Sequence, residues 1–341
     1  MGNKHVNKRM LHRVFVATLA LASAITLASG SQASAVSNTT TNSANTLKIS
    51  PVRTDISTVS GKTTIVTMKV SNLTKEPMTI RPIENDFVAG DEKGTPALIL
   101  DADKYAQTHS LKRYMVPLKD VIIPASKTQE IKLTINVPAD AKAGGYYGAV
   151  RFVPVSPDGT ANVNLNASAA SLILLTVPGD LSEQLKLTNA TVMQGESTVG
   201  GILQNPDNLH VQFRFENQGN VQVAPFGQVY VKQGDKVIYT NNFNQDQPRG
   251  MVLPDSARRW DVPLDKLGKF GKYTIGATFT YGTGNKSIDF SKTIWIIPLS
   301  YIIGAVVGII VLIILIVGIW FGLRGYKRRV IKGSGGGGYR R

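Results

Sequence analysis

The chain has 341 residues, no cysteine and a formal net charge of +15. The absence of cysteine excludes disulfide scaffolds, zinc–thiolate sites and cysteine nucleophiles. Four of the cations lie in the first 13 residues and seven lie from Arg324 to Arg341, which leaves +4 for the long middle part. A nearly neutral middle lacks the dense basic surface on which nucleic-acid binding depends, so no nucleic-acid partner is expected.

The N-terminus has the pattern of a secretory signal peptide. Residues 1–35 contain a basic stretch, an apolar run from Val14 to Leu27 and the small residues Ala33-Ser34-Ala35, which predict cleavage after Ala35. The apolar run is shorter than a bilayer core requires, which disfavours the alternative of an uncleaved anchor. Residues 36–45 are rich in serine, threonine and asparagine, and we expect them to form a flexible lead-in.

The middle of the chain has the alternation of short β-strands. Without its two ends the chain keeps roughly 260 residues, which suits about two domains. Only 101–110 is a good helical candidate, expected to cross between sheets, so the pattern predicts an all-β fold of sandwiches. Period-two runs of β-branched and aromatic residues occur at Thr63–Val70, Gln129–Val137, Val211–Phe215, Gly227–Val231 and Tyr273–Thr280.

Similar turn and strand-end segments occur in both halves of this region in the same order, which predicts a tandem duplication of one immunoglobulin-like sandwich. The predicted domains are 46–180 and 181–297, with a boundary near Asp180. Tyr146 and Tyr273 each open a late strand after a glycine turn, and we expect each hydroxyl to tie its turn to the strand. Three pairs of segments match: Val70-Ser71-Asn72 with Phe215-Glu216-Asn217, 122–126 with 251–256, and Gly144-Gly145-Tyr146 with Gly271-Lys272-Tyr273. After the first pair, a strand is predicted in each half, at Met78-Thr79-Ile80 and at Val221-Gln222-Val223.

Residues 298–323 predict one transmembrane α-helix. No charge occurs between Lys292 and Arg324, and the stretch is almost wholly aliphatic. The basic, glycine-rich tail 324–341 predicts a cytoplasmic C-terminus in the plasma membrane and an extracellular ectodomain. Glycines spaced four apart would share a helix face and permit a homodimer; they are Gly304, Gly308, Gly318 and Gly322.

Two segments carry a resemblance to a known family. They are the turn and strand from Val137 to Phe152 and the strand from Ser171 to Asp180. These segments resemble the surface proteins of Gram-positive and related bacteria that interact with WxL-domain proteins. The resemblance implies a signal peptide, two immunoglobulin-like domains and a C-terminal membrane helix. It also implies that the first domain contacts peptidoglycan and that the second holds partner proteins.

Motifs for catalysis are missing from the sequence. His109 and His210 are the only histidines after the signal peptide, and neither lies in a nucleophile or metal motif. We therefore expect no enzyme, no cofactor and no metal site. Arg258, Arg259 and Trp260 offer guanidiniums and an aromatic face that could contact glycan or a protein partner, with core packing as the alternative for Trp260.

The sequence leaves two hypotheses for function. The first is a membrane-anchored, non-enzymatic surface protein whose sandwiches bind cell-wall polymer (peptidoglycan), other surface proteins, or both. The second is an accessory factor for the assembly or export of envelope proteins, which would use an exposed strand edge to pair with its clients. A glycan-cleaving enzyme is disfavoured because the chain lacks the corresponding motifs.

Overall fold

The computed structural model describes residues 46–155 and 168–333, with the side chains of α1 described to Arg324. The predicted signal peptide, the lead-in and residues 334–341 of the tail lie outside this range. Across the described residues the chain forms β-strands followed by one long C-terminal helix, as the alternation and the apolar run predict.

Eighteen strands are present in the described part of the chain, nine in each half. In the first half they are β1 (Leu47–Ser50), β2 (Arg53–Ser57), β3 (Thr63–Asn72), β4 (Met78–Ala89), β5 (Pro96–Leu98), β6 (Val121–Ile123), β7 (Thr128–Asn136), β8 (Gly144–Val155) and β9 (Ala169–Val177). In the second half they are β10 (Leu185–Gln194), β11 (Ser197–Thr198), β12 (Ile202–Leu203), β13 (Leu209–Asn217), β14 (Phe226–Gln233), β15 (Lys236–Phe243), β16 (Ser256–Pro263), β17 (Gly271–Tyr281) and β18 (Lys286–Ile296). Helix α1 spans Leu299–Gly333.

Each half of the chain folds into two sheets, and the order of strands is repeated. In the first sandwich the small sheet has the order β1-β3-β7 and the large sheet β2-β9-β8-β4-β5, with β6 also paired to β4. In the second, the small sheet is β11-β10-β13-β16 and the large sheet is β12-β18-β17-β14-β15. In both large sheets a short early strand pairs in parallel with the last strand, β2 with β9 and β12 with β18. The inward-facing residues of the paired sheets form one apolar core in each sandwich.

A buried asparagine closes the equivalent turn in each sandwich. The Asn72 Nδ2 donates to the carbonyls of Glu76 and Ile123, and its Oδ1 accepts from the Thr74 backbone N–H. Asn217 repeats this pattern in the second sandwich: its Nδ2 donates to the carbonyls of Val221 and Val252, and its Oδ1 accepts from the Gly219 N–H. The asparagine turns that repeat in the sequence therefore correspond to a repeated set of buried hydrogen bonds.

The two predicted tyrosines occupy equivalent places as well. The Tyr146 hydroxyl donates to the Lys142 carbonyl, and the Tyr273 hydroxyl donates to the Phe270 carbonyl. Each therefore ties a turn to the strand that follows it, which confirms the predicted role. Gly144 and Gly271 begin these strands at φ values of 151° and 137°, which side chains disfavour.

Two predictions about elements are wrong. Residues 101–110 form turns and bends in place of the predicted helix. The reason is Asp86, whose buried carboxylate accepts hydrogen bonds from the backbone N–H groups of Ala106 and Lys112 and from the Ser110 hydroxyl. These bonds fix the backbone of the segment to a residue outside it. The predicted strand 221–223 is reduced to one bridge between Val223 and Val252. The membrane helix predicted over 298–323 agrees with the apolar segment Leu299–Arg324, and the α-helix itself continues to Gly333.

The apolar segment Leu299–Arg324 of α1 is long and apolar enough to cross a membrane. Its side chains are exposed, including the large aliphatic residues Ile309, Leu312 and Ile316. A helix that is exposed and apolar on all sides over this length has the composition of a membrane span.

We expect Asn217→Ala to lower the free energy of unfolding of the second sandwich by about 2–4 kcal/mol, because two buried carbonyls and one N–H lose their partner. Urea unfolding measures this effect when it is followed by the fluorescence of Trp260 in a chain that carries Trp295→Phe and Trp320→Phe. The matched control is Asn242→Ala on an exposed position of β15, which should cost less than about 0.5 kcal/mol. Equal losses in the two variants would show that the asparagine turn does not stabilise the sandwich.

Candidate functional site

The two sandwiches are joined by a hydrogen-bonded turn around Asn220. The Asn220 carbonyl accepts from the Gly145 N–H of the first sandwich at 2.8 Å, and its Nδ2 donates to the Ala143 carbonyl at 3.1 Å. Close by, the Tyr147 hydroxyl donates to Gln222 Oε1 at 2.8 Å. Tyr147 is buried, and burial raises the pKa of its phenol. These bonds link the start of β8 to the turn that follows β13.

A second link is an ion-pair cluster centred on Glu92, which lies in the turn between β4 and β5. Its Oε1 accepts from Arg214 Nε at 3.0 Å and from Arg214 Nη2 at 2.8 Å, and its Oε2 accepts from Arg259 Nε. Arg214 and Arg259 lie opposite each other on β13 and β16, so one carboxylate of the first sandwich lies between two like charges of the second. The Arg214 hydrogen bonds lower the pKa of Glu92, and Arg259 adds to this effect against the opposing effect of burial.

The outer face of the large sheet in the first sandwich is apolar and covered. Phe87, Tyr147, Ala149 and Leu174 are buried there as a cluster separate from the main core. The residues packed on this cluster include Met251 and Leu253 of the second sandwich. The contact between the sandwiches therefore has an apolar centre, with the Asn220 and Glu92 contacts as its polar parts.

A cavity of about 90 Å³ lies at this contact and is lined by both sandwiches. Its walls combine apolar and charged groups. The first sandwich contributes Arg53, Phe87, Asp91, Leu172 and Leu174, among others; the second contributes Met251, Leu253, Ser256 and Arg258. The volume is about that of a few heavy atoms with their hydrogens, such as a carboxylate with a short apolar group, and is well below that of a drug-sized pocket.

Arg53 approaches the cavity from β2, the edge strand of the large sheet. Its guanidinium donates to both carboxylate oxygens of Asp55 at 3.0 and 2.8 Å and to the Arg249 carbonyl at 2.8 Å. It also lies 3.0 Å from the Met251 sulfur. Arg53 is therefore held in place by groups from both sandwiches.

Arg258 lines the cavity from β16 and has no acidic partner among the residues that the structure describes. Its Nη1 donates to the Met251 carbonyl at 3.1 Å, its guanidinium lies 4.7 Å from the centre of the Trp260 ring, and its buried Nε has no hydrogen-bond partner. Burial lowers the pKa of Arg258 and the positive charge of Arg53 lowers it further, while the carboxylate of Asp91 opposes both effects. The cavity thus contains a cation whose charge is only partly compensated.

The structure places the three predicted contact residues in different surroundings. Arg258 lines the cavity, Arg259 pairs with Glu92, and Trp260 packs edge-to-face against Phe215 and Phe243 at ring distances of 5.7 and 5.5 Å. Trp260 thus lies against the core of the second sandwich, as the alternative interpretation states.

The remaining predicted residues lie apart from the cavity. Among the glycines of α1, all four predicted for a dimer face have open space where a side chain would begin: Gly304, Gly308, Gly318 and Gly322. The two histidines have structural surroundings. His109 Nδ1 lies 2.6 Å from the Gly145 carbonyl, and His210 Nε2 lies 3.8 Å from the carboxylate of Asp261. No group of three metal-ligating side chains occurs within the described residues.

Several residues of the contact carried no signal in the sequence. Arg53 and Glu92 lie far apart along the chain and belong to none of the repeated segments. A sequence signal existed for the turn at Asn220 and for Met251, which belong to the repeated segments, and for Arg258 and Arg259, which are predicted contact residues. The sites between the sandwiches depend on how the sandwiches pack, and strand periodicity does not specify that packing.

No family model and no curated protein matches the chain. Solved structures similar to it include the class 5 fimbriae chaperone CfaA, at 15% identity over 73% of this chain and 98% of that chain, with a TM-score of 0.37. A chain of the Salmonella enterica SafA pilin–SafB chaperone complex matches at 13% identity over 72% and 95%, with a TM-score of 0.33. A chain of the Acinetobacter baumannii CsuC–CsuE chaperone–tip adhesion subunit complex matches at 10% over 72% and 97%, with a TM-score of 0.35. All three TM-scores lie below one half, and no binding or activity follows from them.

We expect Glu92→Gln to lower the free energy of unfolding by about 1 kcal/mol near neutral pH, because Arg214 and Arg259 lose their shared carboxylate. The pKa of Glu92 is lowered in the folded protein, so its contribution is present above the unfolded value of about 4.3. That contribution is lost as the pH falls through the folded pKa. Urea unfolding of both proteins across the acid range measures the difference.

The control for this prediction is Glu130→Gln. Glu130 pairs with Lys69 at 3.5 Å on the exposed face of the first sandwich, away from the second. It should change stability less than Glu92→Gln does. A difference between wild type and Glu92→Gln that stays constant down to strongly acidic pH would contradict the role given to the carboxylate.

Proposed function

We propose that this chain is a membrane-anchored protein of the bacterial envelope that holds segments of other envelope proteins outside the membrane while they assemble. In this proposal the ectodomain consists of two immunoglobulin-like sandwiches, and the chain acts by binding, without catalysis. The observation that carries it is the cavity between the sandwiches, where Arg258 forms no salt bridge with any residue that the structure describes and Arg53 lies nearby. The segment Leu299–Arg324 supplies the anchor.

The chemistry of the cavity favours a carboxylate with an apolar neighbour. Arg258 provides the charge and a buried Nε that has no partner. A guanidinium binds a carboxylate with two parallel hydrogen bonds, which is stronger than binding a neutral group. Leu172, Leu174 and Met251 form an apolar wall beside it. The C-terminus of a polypeptide combines a carboxylate with an adjoining side chain and matches this arrangement.

Strand β2 offers a backbone along which such a polypeptide could continue. It is the edge of the large sheet and pairs only with β9. The Val52 carbonyl and the Thr58 N–H face β9, so by alternation the backbone groups of Arg53, Asp55 and Ser57 face away from it. A segment added antiparallel to β2 would end with its carboxylate next to Arg53. Strand addition at a sheet edge is a common mode of peptide binding.

The resemblance to WxL-interacting surface proteins supports an envelope location and a protein partner. It also supports the second candidate, which is binding of peptidoglycan by the first sandwich. The same cavity favours this candidate, because the peptide stems of peptidoglycan also end in carboxylates. Binding of polypeptide C-termini and binding of cell wall are therefore tested separately in one experiment.

We expect the full-length protein in nanodiscs to bind fluorescent peptides copied from the C-termini of envelope proteins when their carboxylate is free, and to bind the amidated versions more weakly. Arg258→Gln should lower the affinity for the free-carboxylate peptide by about tenfold or more, because a charge-assisted hydrogen bond is lost. The same substitution should leave the already weak binding of the amidated peptide unchanged. Fluorescence anisotropy measures all four affinities.

The control is Arg113→Gln, which removes an exposed guanidinium that stacks on Tyr105 at 4.4 Å, outside the cavity. It should bind both peptides like the wild type. Equal affinity for free and amidated peptides would remove the carboxylate mechanism. Sedimentation with purified cell-wall sacculi tests the second candidate, which predicts co-sedimentation that Arg258→Gln reduces.

A further inference from the structure

We propose that the end of the second sandwich next to α1 lies on the lipid headgroup layer, with Ile202, Phe270 and Trp295 in the membrane interface. The inference rests on the proposed function in one respect, which is that α1 spans the membrane. It adds a contact surface on the folded domain itself. The domain would then be held against the lipid as well as attached to the helix.

The first observation is the short connection between sheet and helix. Strand β18 ends at Ile296 and α1 begins at Leu299, so two residues separate them. The Ile297 N–H donates to the Leu203 carbonyl at 2.7 Å, which fixes the first of the two to the sheet. Two residues span at most about 7 Å, so a helix that enters lipid at its first turn brings the end of the sheet to the headgroups.

A ring contact provides the second observation. Phe270, in the loop before β17, stacks on Tyr301 in the first turn of α1, with ring centroids 5.1 Å apart and planes at 21°. Both residues are exposed, with 53% and 60% of their surface accessible. Tyrosine at the start of a membrane helix is typical of the interface, and Phe270 therefore lies at the same depth.

The third observation is an apolar patch on the same end of the large sheet. Ile202 pairs with Trp295 in the parallel ladder of β12 and β18, and Lys272 pairs with Trp295 in the antiparallel ladder of β17 and β18. Ile202 is 65% exposed and Trp295 is 44% exposed. Large side chains of this kind at the water boundary are stable in the headgroup region, where an apolar ring can be buried while its polar edge stays hydrated.

Exposed charges of both signs lie at this end of the domain, and Lys236 and Lys266 adjoin two of its acidic residues. The Lys272 ammonium lies 6.0 Å from the centre of the Trp295 ring, and Lys269 is exposed beside Phe270. Acidic residues are exposed in the neighbouring turns, namely Glu196, Asp207, Asp235 and Asp265. The contact therefore depends on insertion of apolar side chains, with the lysines near lipid phosphates, and it does not require anionic lipid.

The test uses the full-length chain in vesicles of zwitterionic lipid with bromine in the upper acyl chain. One variant keeps only Trp295 (Trp260→Phe with Trp320→Phe), and a second keeps only Trp320 (Trp260→Phe with Trp295→Phe). We expect brominated lipid to quench Trp295 and aqueous iodide to quench it weakly. Adding Phe270→Ser should decrease lipid quenching of Trp295 and increase iodide quenching, whereas Ile122→Ser, an exposed position in the first sandwich, should change neither.

Trp320 separates failure of this inference from failure of the anchor. Lipid quenching of Trp320 together with iodide quenching of Trp295 would show that the sandwich stands clear of the membrane, and would overturn the inference alone. Absence of lipid quenching at both positions would overturn the membrane anchor and the inference together. Trp295 shielded from both quenchers would mean that a second copy of the chain covers the patch, which also overturns contact with lipid.

Discussion

The structure depends on the apolar contact between the sandwiches. Met251 and Leu253 of the second sandwich pack on the outer face of the large sheet of the first, against the cluster that contains Tyr147 and Leu174. Burial of apolar surface contributes about 25 cal/mol per Å², so a face of this composition favours a covered state over an exposed one. The Asn220 and Glu92 contacts fix the orientation of the two sandwiches, because their hydrogen bonds form in only one relative position of the sandwiches. The cavity between the sandwiches exists because of that placement.

Features that depend on neighbouring residues in the chain could be predicted from the sequence. The strands follow from period-two alternation, the helix follows from its apolar run, and the tyrosine turns follow from a glycine before the strand. The helix predicted over 101–110 failed for a different reason. Its polar composition permits a helix, but Asp86 lies 20 residues before Ala106 and binds the backbone of the segment with a buried carboxylate. Composition within the segment contains no information about that partner.

The cavity shows the same limit at larger separation. Arg258, Arg259 and Trp260 are consecutive, yet alternation along β16 sends Arg258 and Trp260 to one face and Arg259 to the other, so one site was predicted where the structure has two. Arg53 reaches the Arg249 carbonyl across 196 positions, and Glu92 reaches Arg214 across 122. Their roles depend on how the two sandwiches pack against each other, which the local sequence pattern does not encode.

The electrostatics of the cavity link its stability to its occupation. Arg258 is partly buried and lies close enough to Arg53 to be repelled, and its charge is compensated in part by the Trp260 ring, the Met251 carbonyl and the carboxylate of Asp91. A cation in this position lowers stability when the cavity is empty, and a bound carboxylate would remove that cost. Any ligand that binds only the folded state raises the stability of that state, and the effect grows with the logarithm of the ligand concentration. A carboxylate bound in the cavity would therefore also stabilise the contact between the sandwiches, and in the proposed function the two sandwiches would bind it together.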